Sequence, residues 1–109
     1  TNGTDPPVDE ISPVASFHCS VTRQLPDGTL FQPQEVYSRD RALYSYTMGN
    51  AIAAFEEDIK GSLTPGKLAD ITVLSQNLLS APDDALLDTT VVMTIVGGEI
   101  RYRDGEIVR

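Results

Sequence analysis

Apolar residues recur along the chain with two different periods, and the change falls near residue 60. Before it, Ala42, Leu43 and Tyr46 share one helical face, and Ile52, Phe55 and Ile59 recur at the next helical spacing. The stretch "RDRALYSYTMGNAIAAF" therefore predicts helix, with Ser38 as its N-cap and Asp40 in the first turn, where a negative charge suits the exposed amide groups. Gly49-Asn50 between the two sets predicts two helices meeting at a bend. Residues 13–22, "PVASFHCSVT", have the apolar content of a short helix or an irregular packed segment. Between these, "RQLPDGTLFQPQEVY" (23–37) carries Pro-Asp-Gly and a second proline, the chemistry of a surface loop.

After Lys60 the pattern alternates. Pro65-Gly66 suits the centre of a type II turn, and residues 69–74 read as a strand. "SQNLLSAPDDALLD" is a polar connection with a short helical turn at its end. "TTVVMTIV", "EIRYR" and "EIVR" read as three strands joined at Gly97-Gly98 and Asp104-Gly105, an antiparallel meander. At the other end, residues 1–4 of "TNGTDPPV" close a short strand that Pro6-Pro7 must stop, which places Asp5 at its carboxyl end. The fold class is α+β.

Composition narrows the partners. Sixteen acidic against eight basic residues give a net charge of -8, which repels phosphate backbones and anionic lipid, so nucleic acid and membrane surfaces are not expected partners. No run of ~18 apolar residues offers a membrane span and no leader pattern is seen, so the expected location is cytoplasmic. The first residue is not Met, and the start is read as a processed or cut end. One cysteine, Cys19, cannot form an internal disulfide and is expected to be a small buried apolar residue.

The candidate chemistry is sparse. The single histidine, His18, adjoins Cys19, and neighbours in sequence cannot face one metal from a helix or a strand, so a complete zinc-type site within the chain is not expected. There is no G-x-S-x-G elbow, and "PGKLAD" lacks the hydroxyl residue and upstream glycine of a phosphate loop. Tyr44 and Tyr46, too close in helical spacing to share one face, read as core and surface rather than as a site, Glu56-Glu57-Asp58 as a solvated helix end, and Asp70 as structural at a strand start. Asp5 has two readings: a turn-organising aspartate ahead of prolines, or a carboxylate at the rim of a barrel strand, where barrel enzymes place their chemistry.

Four stretches, "GTDPPV", "VTR", "ALYSYTMGNAIAAFEEDIKGSL" and "PGKLADITVL" with "VVMTIVGGEIRY", together resemble the C-terminal portion of the metal-dependent amidohydrolases. They are most similar to the amidohydrolase family 3 branch, with its N-substituted formamide deformylase-like and exoenzyme regulatory protein-like members. The resemblance implies a TIM-type (β/α)8 barrel with a small composite β-sandwich. Residues 1–60 would supply the last barrel strand, loop and helices, and 61–109 the C-terminal sandwich strands. It implies hydrolysis of carbon-nitrogen bonds other than peptide bonds in an amide-like small molecule. Asp5 would be catalytic and a ligand at a divalent metal, zinc by the resemblance, and Arg23 of "VTR" would either touch substrate or anchor a loop. A barrel takes about 250 residues, and the family's metal-binding histidines belong to upstream strands. The chain alone is therefore expected to bind no metal tightly and to be inactive. With barrel and sandwich elements missing, an apolar patch such as Ile52, Phe55 and Ile59 is expected to be exposed, and the chain is expected to pair with the missing N-terminal part or to self-associate or exchange strands, through its unpaired strand edges. The alternative is a noncatalytic split or truncated remnant acting as an association module.

Overall fold

Ser12 and Ser38 each open a helix in the same way. The side-chain oxygen accepts a backbone N–H that the first turn leaves without an intrahelical partner, from Ala15 at 3.3 Å and from Arg41 at 3.3 Å. In the computed structural model, which describes residues 1–8 and 11–105, these caps start α1 (Pro13–Thr22) and α2 (Arg39–Tyr46). A third helix, α3 (Met48–Ala53), follows after a single residue. The bend is at Thr47, with φ -119° and ψ -94°, two residues ahead of the expected Gly49-Asn50. Gly49 lies inside α3, where an added Cβ would come 3.1 Å from the Tyr44 carbonyl oxygen. Glycine there permits a close approach rather than a bend.

α3 is shorter than the apolar spacing predicts, and the expected face of Ile52, Phe55 and Ile59 does not form. Phe55 adopts φ 59°; its N–H donates to Ile52 O at 3.0 Å and the Glu56 N–H to Ala51 O at 2.9 Å. This is the paired bonding of a left-handed helix terminus, with Phe where glycine is usual. The turn throws Phe55 outward, to 92% exposure.

Phe17, Ala42, Leu78 and Leu86 form the buried core, flanked by Val21, Tyr37, Leu43, Tyr46 and Leu74. Arg39, at the start of α2, ties the following layer down. It donates to the carbonyls of Leu78 and Ala81 and pairs with Asp83, which holds the 3-10 turn Asp83–Asp88 against the helices.

β1 (Ile71–Leu74), β2 (Val91–Val96) and β3 (Glu99–Arg103) form an antiparallel sheet in that order, with Ile71 opposite Ile95 and Thr94 opposite Tyr102. β1 begins two residues later than expected because its approach bonds differently. The Gly98 N–H donates to Ala69 O at 3.0 Å, and the Gly97 N–H donates to the Asp70 side chain at 2.8 Å, in place of a backbone ladder. Pro65-Gly66 makes the expected turn, with Gly66 at φ 96° and the Lys67 N–H on Thr64 O at 3.1 Å. The expected strand "EIVR", 106–109, lies outside the described residues. Residues 1–4 are not a strand: the Asn2 backbone is bonded to the helical layer and not to a ladder partner. No helix among the described residues is long and apolar enough to cross a membrane.

Gly61 holds φ 93°, and a Cβ there would meet the Ala51 Cβ at 2.7 Å and the Met48 Cα at 3.1 Å. Gly61→Ala should therefore destabilise the chain by about 2 kcal/mol or more. A urea melt should show a lowered midpoint with an unchanged slope. An unshifted midpoint would show that this close approach is absent.

Candidate functional site

The segment carrying Asp5 is held by an exchange of amide hydrogen bonds. Asn50, near the start of α3, donates from Nδ2 to Asn2 O at 2.9 Å and accepts the Asn2 N–H on Oδ1 at 3.2 Å. The same N–H reaches Ser45 O at 3.0 Å. The Asn2 side chain in turn donates to Ser20 Oγ at 3.0 Å and accepts the Gly3 N–H at 2.9 Å. One asparagine thus satisfies the backbone of another as a neighbouring strand would, and ties residues 2 and 3 to both α1 and α3.

Beyond this clamp the chain turns. Asp5 adopts φ 47°, its carbonyl accepts the Val8 N–H at 2.9 Å, and the Pro6-Pro7 peptide is cis. The aspartate is exposed. The turn is present, and no strand ends at Asp5.

Arg23 closes α1 in the left-handed region, φ 56°, with its N–H on Cys19 O at 2.8 Å. Its Nε donates to Phe31 O at 3.0 Å, and its guanidinium lies 5.4 Å from the centre of the Phe31 ring. The loop it holds is a small hairpin. Gln24 bridges Leu30, the Phe31 N–H returns to Arg23 O at 2.8 Å, and Asp27 accepts the Thr29 N–H at 2.9 Å at the tip. That bond, from the backbone of Thr29 first and then its side chain, holds the Asp27 carboxyl below its ordinary value of 3.8.

Arg23 also lines a polar cleft of about 480 Å³ with Asn2, Ser20, Gln32, Glu35 and Tyr37. The fold therefore brings Arg23 together with the clamped segment, whereas Asp5 lies outside the cleft lining. A larger open groove, about 1060 Å³, runs between the helices and β1 and is mostly apolar, with Leu43, Met48, Leu63, Ile71 and Leu78 on its walls.

The remaining candidates are structural. His18 is buried on α1 with Nδ1 3.5 Å from Thr22 Oγ1. Cys19 is half-buried rather than buried, because the helix turns Phe17 and His18 inward instead. Tyr44 is half-exposed, and the Tyr46 hydroxyl bonds to Ser16 Oγ. The acidic run is not a solvated helix end. α3 stops at Ala53, Glu56 pairs with Lys60, and Glu57 is half-buried with one carboxylate oxygen out of contact with water.

Arg39, Asn50 and Lys67 escaped the sequence reading. Asn50 looked like half of a bend signal. Lys67 of "PGKLAD" reaches back to the carbonyls of Glu57 and Lys60 and to Met48 Sδ, closing the segment between α3 and the Pro65-Gly66 turn. A lysine after a turn glycine and before a strand was the available signal. Among the described residues no three His, Cys, Asp or Glu side chains gather to hold a metal ion, so these residues do not by themselves fit a metal centre.

Comparison with known proteins bears on the whole segment. Residues 1–102 match the amidohydrolase family. The chain is 39% identical over 103 residues to "Protein LONG AFTER FAR-RED 3" of Arabidopsis thaliana, covering 92% of this chain and 17% of that protein. It is 30% identical over 99 residues to "N-substituted formamide deformylase" of Arthrobacter pascens, covering 91% of this chain and 18% of that one. The chain thus spans less than a fifth of the length of these relatives. No solved structure matches it significantly.

Asn50→Ala removes both side-chain bonds to Asn2 and should cost about 1–3 kcal/mol. The Asn2 amide should exchange faster in the variant by hydrogen-exchange NMR, and unchanged protection would show that Ser45 alone holds the segment. The Asp27 carboxyl, lowered on folding, adds stability above the ordinary aspartate value, and this is lost as the pH falls through the lowered folded value. An NMR titration of Asp27 should give a midpoint below that of a short unfolded peptide; equal midpoints would contradict the tip geometry.

Proposed function

We propose, from the premise that the chain belongs to the amidohydrolase family, that it works as the C-terminal part of a hydrolase of carbon-nitrogen bonds other than peptide bonds. The match of residues 1–102 to the family carries this reading. The chain contributes the end of a barrel in residues 1–60 and the strands of a composite sandwich in 61–109. Asp5 is the catalytic carboxylate. Exposed on a turn that follows the Asn2–Asn50 clamp, it accepts a proton from the attacking water and returns it to the departing nitrogen. The water's hydroxyl ends on the carbonyl carbon and its proton on the amine. On this reading Asp5 is also one ligand of a divalent metal, zinc by the resemblance, whose histidine ligands belong to other parts of the complete protein. The named reaction of the Arthrobacter pascens relative suggests a substituted formamide as the type of substrate.

The apolar groove between the helices and β1 favours a second reading, in which the chain is a noncatalytic association module. Both readings share an association surface and differ at Asp5. In the complete protein, Asp5→Asn should lower turnover about a hundredfold or more, because it removes the proton acceptor without changing volume. Its circular dichroism should be unchanged. Full activity in the variant would overturn the catalytic assignment and leave the second reading. The 109-residue chain alone should bind zinc weakly and hydrolyse nothing.

A further inference from the structure

The polar cleft beside α1 has two kinds of wall. On one side the side chains are already committed: Asn2 Nδ2 donates to Ser20 Oγ at 3.0 Å, and Ser20 Oγ donates to Ser16 O at 3.0 Å. On the other are Arg23, Gln32, Glu35 and Tyr37. Arg23 uses Nε for Phe31 O and one guanidinium face for the Phe31 ring, which orients the group and leaves its two terminal nitrogens. The Tyr37 ring is stacked under Arg41, whose guanidinium carbon is 4.4 Å from the ring centre, so the phenol is held in position as well. Among the described residues no hydrogen bond is formed by the terminal nitrogens of Arg23, the Gln32 amide, the Glu35 carboxylate or the Tyr37 hydroxyl, and Arg23 and Glu35 do not form an ion pair.

The backbone at this wall is strained. Arg23 at φ 56° and Gln32 at φ 48° are two of the four non-glycine residues with positive φ among the described residues. Such conformations persist where surrounding structure holds them, and they cluster at ligand sites. Arg23 and the exposed Glu35, an unpaired cation and an unpaired carboxylate on the lining of one small polar cleft, complement a ligand carrying the opposite charges. The cleft volume, about 480 Å³, lies within the range usual for small-molecule sites.

We propose that this cleft binds a small zwitterion of the amino-acid type, its carboxylate on the terminal nitrogens of Arg23 and its ammonium on Glu35, with Tyr37 and Gln32 completing the hydrogen bonds. An arginine fork recognises a carboxylate through two parallel bonds, which a lone surface cation does not offer. The proposal rests on Arg23 as a ligand-facing residue and is independent of Asp5 and of hydrolysis.

The test is a backbone-amide NMR titration of the 109-residue chain with glycine, and separately with acetate and methylamine, which carry one charge each. Glycine should give saturable shifts at residues 20, 23, 32, 35 and 37, and acetate and methylamine should bind about tenfold or more weakly. Glu35→Gln, at a residue whose backbone N–H donates to Gln32 O and whose side chain forms no hydrogen bond among the described residues, should weaken glycine about tenfold while leaving acetate unchanged. Arg23→Gln should abolish both glycine and acetate binding; because it also loosens the hairpin, Glu35→Gln carries the decision if that variant is unfolded. No saturable shifts with glycine, equal affinity for acetate, or unchanged glycine binding in Glu35→Gln would each overturn the proposal. Since no turnover is measured, a negative result here leaves the hydrolase reading untouched, and an inactive Asp5→Asn enzyme leaves this one untouched.

Discussion

The backbone of residues 2 and 3 has no strand beside it, and the helices of the N-terminal half meet the hydrogen-bonding need this leaves. Asn50 answers it with an amide that donates to one side of Asn2 and accepts from the other. Asn50 sits on α3, which begins after the chain breaks at Thr47. The Asn2 side chain then passes the connection on to Ser20 of α1. Three segments distant in sequence are joined through one pair of side chains, and the Asp5 turn hangs from them. A buried or half-buried amide left without such partners would cost free energy comparable to the bond itself.

The second half is organised by a different pair of anchors. Lys67 and Asp70, three residues apart, face opposite duties. The lysine collects carbonyls left open after α3, and the aspartate takes the Gly97 amide at the tip of the β2–β3 hairpin. The stretch "PGKLAD" thereby connects helices to sheet over a few residues. Its family-like spacing reflects this joinery: turn, cation for carbonyls, apolar residue, carboxylate for a hairpin amide. Nothing in it requires a phosphate or a metal.

What was legible in the sequence was local. Ser38 and Pro65-Gly66 act through neighbours within four residues, Gly97-Gly98 turns β2 into the adjacent β3, and each does what its residue type dictates. The early end of α3 was not legible, because the apolar spacing of Ile52, Phe55 and Ile59 continues past a turn made by a phenylalanine in a conformation that side chains with a Cβ seldom adopt. Asn50, Arg39 and Lys67 were missed for a related reason. Their partners are carbonyls far along the chain, and a carbonyl carries no residue identity to read. For the candidate site, Asp5 and Arg23 could be picked out as residue types in a pattern, but their separation, one outside the cleft and one on its wall, is a property of the three-dimensional arrangement.

The same anchors shape the electrostatic exterior. Arg23, Arg39 and Lys67 turn their N–H groups toward backbone carbonyls, so much of the positive charge is drawn into the joints while the carboxylates of a chain with net charge -8 remain largely at the surface. The lining of the apolar groove carries charges of both signs, Asp40 and Asp70 with Lys60, so the groove offers a neighbour no single-signed field. The reach of such surface charges is about 10 Å at 0.1 M salt and shrinks as salt is added.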